Sequence, residues 1–249
     1  MVSFPAVGRL GNFYFECATA LAYSLEHDLE FTVPFTTSNE FWSPIYLKHL
    51  QNKNYDRFLP SIEIQENQFT YHEIPFDESW RDKNIVINGY RQSYKYFDKY
   101  RSELLYLFGH PYQKQDVCSV HARYGDYLEI AGKHIVINED YLTKAMKYIT
   151  DNTGLTRFKV FSDNIKLFQE RLGHLYPFEY SANTNETDDL IEMSCCASNI
   201  NSSSTFSWWA SWINQNPDKV VVTPTKWFQD GWDNNCDTSD IVPITWIKL

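Results

Sequence analysis

The sequence predicts an α/β protein made of two doubly wound, Rossmann-like domains. Three observations lead there. Short β-rich apolar runs alternate with helical patterns, which implies parallel strands joined by helical crossovers. The chain has 249 residues, enough for one large domain or two small ones. Its polar motifs fall at the ends of predicted strands, where ligands of open α/β sheets bind.

Val2–Phe4 reads as a first strand, and residues 12–26 as a helix whose face carries Phe13, Phe15, Ala18, Leu21, Ala22 and Leu25. Glu30–Val33 reads as a second strand. Residues 34–81 are aromatic and irregular. Ile85–Asn88 is read as a strand and Tyr94–Phe108 as a helix. Pro111–Gln115, polar and opened by proline, is the candidate boundary, giving domains of 1–113 and 114–249. The second half is clearer: strands at Val117–Arg123, Phe158–Phe161, Asn199–Asn201 and Val220–Val222, helices at Asn138–Thr150, Asn164–Leu172, Asp188–Cys196 and Thr205–Gln215.

Composition narrows the function. The net charge of −10 argues against nucleic acid, whose phosphates need clustered Lys and Arg. Aromatic residues make up 17%, which suits core filling first and the faces of sugar rings second. The five cysteines match no zinc spacing and read as buried small hydrophobes in a reducing compartment. No apolar run is long enough for a membrane span, and the N-terminus shows no signal-peptide pattern, so a cytoplasmic setting is expected.

Four motifs carry chemistry. Gly8-Arg9-Leu10-Gly11-Asn12 joins the first strand to the first helix, where glycines permit close backbone approach and the helix start offers N–H groups to phosphate; a plain strand-to-helix turn is the alternative. In His121-Ala122-Arg123-Tyr124-Gly125-Asp126-Tyr127, alternation puts His121 and Arg123 on one face. Arg123 suits a pyrophosphate. Asp126 suits a base that takes a hydroxyl proton, with Glu129 in reserve. A structural Arg123–Asp126 pair is the alternative. Phe161-Ser162-Asp163-Asn164 ends a strand, so Ser162 or Asp163 serves either as a helix cap or as a ribose or base contact. Finally, Asp189 opens a helix, where its carboxylate matches the N1–H and 2-amino donors of guanine. The Asn201–Ser204 turn then opens a helix at Thr205 and Phe206, a second phosphate cradle or a capping loop. Trp208 and Trp209 read as packing. No Asp-x-Asp triplet occurs, so the expected chemistry needs no metal.

At these residues the sequence resembles the α-1,2-fucosyltransferases of glycosyltransferase family 11, over nearly the whole chain. Gly8–Phe15 looks like that family's G-R-L-G-N-Q-x-F. Gly89-Tyr90-Arg91-Gln92-Ser93 with Tyr96-Phe97 looks like G-Y-F-Q-S-x-x-Y-F. His121–Tyr127 resembles H-x-R-R-x-D-Y, and Phe161–Asn164 resembles F-S-D-D. Ser204–Trp209 resembles N-S-[ST]-F-S-W-W. Asn216-Pro217-Asp218-Lys219 with Pro224 and Trp227 resembles the N-P-x-K…P…W tail. The resemblance implies a GT-B fold, two Rossmann-like domains facing a cleft with the acceptor side first and the GDP-sugar side second. It implies an inverting transfer of fucose from GDP-fucose to a galactose 2-hydroxyl of a glycan. Arg123 would bind the pyrophosphate, and His121, Asp163 and Asp189 the nucleoside. Gly11, Asn12, Ser204 and Thr205, with Phe206 beside them, would surround phosphates or fucose.

The chain departs from the pattern at Tyr124, where the family has a second arginine. It departs also at Phe13 for glutamine, at Asn164 for the last aspartate, and at Ser198 and Ser203 for the His and Asn of C-x-H-x-I-x-A-N-S. These changes leave two further readings open. One is a transferase using another GDP-sugar. The other is a non-catalytic glycan- or nucleotide-binding protein on the same scaffold.

Overall fold

The structure, a computed structural model, describes residues 1–34, 50, 60–66, 69–108, 112–130, 133–230 and 237–249. The proposed boundary at Pro111 and most of the irregular stretch between residues 34 and 60 lie outside the described residues, as does Cys236. The chain is a mixed α/β protein with two parallel sheets. It divides into two compact units: Met1–Gly109 with Asn235–Pro243, and His110–Asn234 with Ile244–Leu249.

The first unit carries β1 (Val2–Ser3), α1 (Leu10–Glu26), β2 (Ser61–Ile64), β3 (Asn84–Ile87) and α2 (Arg101–Phe108). Its sheet runs β1-β3-β2, all parallel. Helix α1 is apolar nearly all round and is buried from Phe13 to Ser24, packing Phe13 on Phe4 and Phe15 on Phe97. The expected strand at Glu30–Val33 is only an isolated bridge, a single residue pair between Phe31 and Val2. The expected helix at Tyr94–Phe108 is broken. Two 3-10 turns, Tyr94–Tyr96 and Asp98–Tyr100, precede α2, the first capped by the Ser93 hydroxyl. Strand β2 was not expected, since four residues give little periodic signal.

The second unit carries β4 (Gln115–Ala122), α3 (Gly125–Glu129), α4 (Glu139–Thr153), β5 (Phe158–Ser162), α5 (Ile165–Leu172), β6 (Glu179–Tyr180), α6 (Glu186–Cys195), β7 (Cys196–Ile200), α7 (Thr205–Ile213), β8 (Val221–Thr223) and β9 (Ile247–Lys248). The expected helix beginning at Asp188 starts earlier, because the Asn185 side chain accepts from the Asp188 amide and caps it. Cys196 leaves that helix and opens β7. Helix α4 shows how sequence sets an element. Asn138 caps its start, Gly154 ends it at φ 74°, and Tyr141, Leu142, Ala145, Met146 and Ile149 form its buried stripe. That stripe packs on Val120, Val160, Ile200 and Val222 of the sheet.

The second sheet is parallel throughout, in the order β6-β5-β4-β7-β8-β9. Renumbered within the sheet this is 3-2-1-4-5-6, a doubly wound order in which the sense of strand addition reverses between β4 and β7. Cys17, Cys118, Cys195 and Cys196 are free thiols and buried. No helix among the described residues is long and apolar enough to cross a membrane.

Candidate functional site

The β4/β7 switch point sets the site. Ala122 pairs with Ser162 across β4 and β5, and Val120 with Ile200 across β4 and β7. Arg123, Asp163 and the Asn201–Ser204 turn therefore leave the sheet side by side at its carboxyl edge. His121 is 4% exposed and lies 2.8 Å, through Nδ1, from the Ser202 hydroxyl. Its ring faces Phe206, with centroids 5.3 Å apart. Burial pulls its pKa down to about 4, against a smaller pull upward from Asp163, so the imidazole is neutral at physiological pH.

Arg123 is clamped. Its Nε donates to Asp126 Oδ1 at 3.0 Å, and Nη2 reaches the same oxygen at 2.9 Å. Nη1 reaches Asp163 Oδ2 at 3.1 Å. A guanidinium has five N–H donors, so two have no partner in this clamp among the described residues. Asp163 Oδ1 accepts the Tyr124 amide at 2.9 Å. The Arg123–Asp126 pair that the sequence left as an alternative is thus present, and it also presents the guanidinium at the switch point. Neither Ser162 nor Asp163 caps α5. Asn164 does, accepting from the Leu167 amide, because its side chain follows the turn while Asp163 points back to Arg123.

The serine turn uses its hydroxyls within the protein. Ser202 meets His121, Ser203 donates to the Lys226 carbonyl at 2.9 Å, and Ser204 accepts from the Phe206 amide. An anion there would meet the start of α7, at Thr205 and Phe206, and its backbone N–H groups. Trp208 and Trp209 are 1% and 0% exposed and belong to the core, as expected. Asp189 lies in the first turn of α6. Its Oδ1 accepts from the Ser181 hydroxyl at 2.6 Å and the Asn183 amide at 3.1 Å. Burial raises its pKa, and these bonds oppose that rise. Glu129, at the end of α3, is exposed.

Gly11 and Asn12 open α1 in the first unit. The N-cap, Arg9, makes no side-chain bond to the helix. Asn12 Oδ1 accepts from Gln92 Nε2 at 3.0 Å. Gly8 sits at φ 84°, and a β-carbon there would lie 2.8 Å from the Asn12 amide nitrogen, so glycine is required.

Three features escaped the sequence reading. Tyr127 donates to the Ser203 carbonyl at 2.8 Å and stacks on His134 with centroids 3.9 Å apart. Burial pushes the Tyr127 hydroxyl up to about 12 and pulls His134 down to about 4. No periodic pattern announces a stack between Tyr127 of the short α3 and His134 beyond it. Glu16 is 1% exposed inside α1, accepting the Val7 amide at 3.0 Å. A lone acid within the apolar run Phe13–Ala22 was the available signal. Gly125 lies where a β-carbon would approach Asp163 Oδ2 to 2.7 Å.

The sequence profile described as glycosyl transferase family 11 matches residues 109–249, which take in the whole described switch-point site. An O-antigen biosynthesis glycosyltransferase, WbnK, of Escherichia coli is 29% identical over 241 residues, covering 90% of this chain and 76% of that protein. An alpha-1,2-colitosyltransferase of Escherichia coli is 27% identical over 139 residues, covering 53% of this chain and 47% of that protein. The match spans more than half of the chain and contains its clamped arginine: the protein belongs to glycosyl transferase family 11 and is an enzyme that transfers sugars.

Proposed function

We propose that the chain transfers fucose from GDP-fucose to a galactose 2-hydroxyl of a glycan, with inversion and without a metal ion. The observation that carries this reading is Arg123, held at the β4/β7 switch point between Asp126 and Asp163. Its two remaining N–H donors suit the diphosphate, whose negative charge grows as the carbon–oxygen bond to the sugar breaks. The start of α7 adds backbone N–H groups and the positive end of a dipole. Together they supply positive charge that other transferases take from a metal held by an Asp-x-Asp loop, which this sequence lacks.

His121 and Ser162 would line the nucleoside side, and Ser204, Thr205 and Phe206 the phosphate side. Asp189 would read guanine through Oδ2, on which no protein donor is found among the described residues. Asp126 is the proposed base. Its Oδ1 is engaged by Arg123, so the acceptor hydroxyl would give its proton to Oδ2. A two-domain GT-B organisation and a role for Gly11 and Asn12 in the first unit complete the reading, on the strength of the resemblance.

A second reading keeps GDP and changes the sugar. The departures at Tyr124, Ser198 and Ser203 keep another GDP-sugar open, and the relative named an alpha-1,2-colitosyltransferase suggests colitose as the one to try. O-antigen assembly is the proposed setting, from the name of the other relative. Turnover of GDP-fucose and of other GDP-sugars, across galactose-ended and other glycans, separates these readings. Arg123→Ala should lower turnover by about 100-fold or more, the loss seen when one charge-stabilising donor is removed. Wild-type turnover with none of the GDP-sugars would count against the proposal.

A further inference from the structure

We infer that Asp163 is a positioning residue, which sets Arg123 for the diphosphate and does not touch the nucleoside. The resemblance implied a nucleoside contact, and the geometry points elsewhere. Each carboxylate oxygen of Asp163 has a partner inside the protein. Oδ1 accepts the Tyr124 amide at 2.9 Å, and Oδ2 meets Arg123 Nη1 at 3.1 Å. The side chains of Asp163 and Arg123 are 22% and 17% exposed, so the pair is partly shielded from water.

The neighbours are arranged to keep it so. Asp126 takes the Nε and Nη2 edge of the guanidinium while Asp163 takes Nη1. Two carboxylates on two edges fix the plane of a planar fork. Gly125 leaves the space that Asp163 Oδ2 fills, since a β-carbon there would stand 2.7 Å away. That oxygen has little room to retreat, because its partner Oδ1 is tied to Tyr124. A guanidinium already held in place loses less freedom when it meets a ligand, which is the advantage of a preorganised contact.

Asp163→Asn breaks this specifically. The amide oxygen can serve Tyr124 or Arg123 but not both, and its NH2 then faces another donor. Gly125→Ala displaces Oδ2 with Asp163 itself intact.

The inference rests on the reading that Arg123 meets the diphosphate, and the test separates the two. GDP and guanosine are titrated calorimetrically into the full chain, as wild type, Arg123→Ala, Asp163→Asn, Gly125→Ala and the Arg123→Ala/Asp163→Asn double variant. Thermal melting checks that each variant is folded. The expected result is GDP binding weakened about tenfold or more in Asp163→Asn and in Gly125→Ala, with guanosine binding unchanged in both. Adding Asp163→Asn to Arg123→Ala should weaken GDP no further. Equal losses for GDP and guanosine in Asp163→Asn would restore a direct nucleoside contact and overturn the inference. So would undiminished GDP binding in Asp163→Asn, or a full further loss in the double variant. Undiminished GDP binding in Arg123→Ala would overturn the reading of Arg123 and the inference with it.

Discussion

The Ser202 hydroxyl lies 2.8 Å from Nδ1 of His121, joining the end of β4 to the turn after β7 at the point where the strand order reverses. Both residues are buried. The bond ties the strand that carries Arg123 to the turn that opens α7.

Removing it should cost stability and binding together. Ser202→Ala is expected to lower stability by about 1–3 kcal/mol, because a buried ring nitrogen loses its partner. Chemical denaturation measures the first effect and GDP titration the second, a loss of several-fold. Unchanged stability would mean that the pair is not formed in solution.

His121 should stay neutral across the physiological range. Its folded pKa, near 4, lies below the ordinary histidine value, so the unfolded chain takes up this proton first as the solution is acidified. The stability tied to it is full above the ordinary value and is lost as the pH falls toward 4. An imidazole resonance of His121 that titrates with a midpoint near 6.5 would contradict its burial.

Glu16 runs the other way. Burial raises its carboxyl to about 8, against the lowering effect of the Val7 and Ala6 amides, with Glu66 adding a smaller upward push. A raised carboxyl pKa means that the folded state keeps its proton while the unfolded chain has released it. Stability is therefore full below the ordinary carboxyl value and falls as the pH rises toward 8. Glu16→Gln cannot ionise, so it should gain on the wild type between pH 5 and pH 8.5, by on the order of 3 kcal/mol at about 1.4 kcal/mol per pKa unit. Melting curves of the two proteins at those pH values decide it, and parallel pH dependences would refute it.

Gly154 offers a control remote from the site. It ends α4 at φ 74° with open space around it, so Gly154→Ala meets backbone strain and no clash. A stability loss of about 1 kcal/mol is expected, with GDP binding unchanged.

Asp189 should set the choice of base. Asp189→Ala is expected to weaken GDP by about 10- to 100-fold, the effect of losing hydrogen bonds to a charged group, and to weaken IDP much less. Inosine lacks the 2-amino donor. Equal losses for both nucleotides would exclude the 2-amino contact, and no loss for either would remove Asp189 from base recognition.

Much of the second unit was legible in the sequence. Val117–Arg123 is a long β-rich run, Asn138 marks the start of α4, whose end at Thr153 lies past the expected Thr150, and Ser204 stands before an apolar helix. The short pieces were not. Strands β6 and β9 have two residues each and α3 has five, too few for a periodic pattern. Residues His121, Arg123, Asp163 and Ser202 were all visible as strand-end polar groups. Apart from the Arg123–Asp126 pair, their partners were not, because the register of β4 against β5 and β7 decides which of them meet. Asp163 shows the limit well. Its sequence position suited a cap or a ligand contact, and only the fold brings Tyr124 and Arg123 to its two oxygens.

The most direct test of the central claim, a guanine-nucleotide site at the β4/β7 switch point, is calorimetric titration of the protein with GDP and with UDP in EDTA. The account predicts clear GDP binding without metal and none with UDP. No binding of GDP would contradict it.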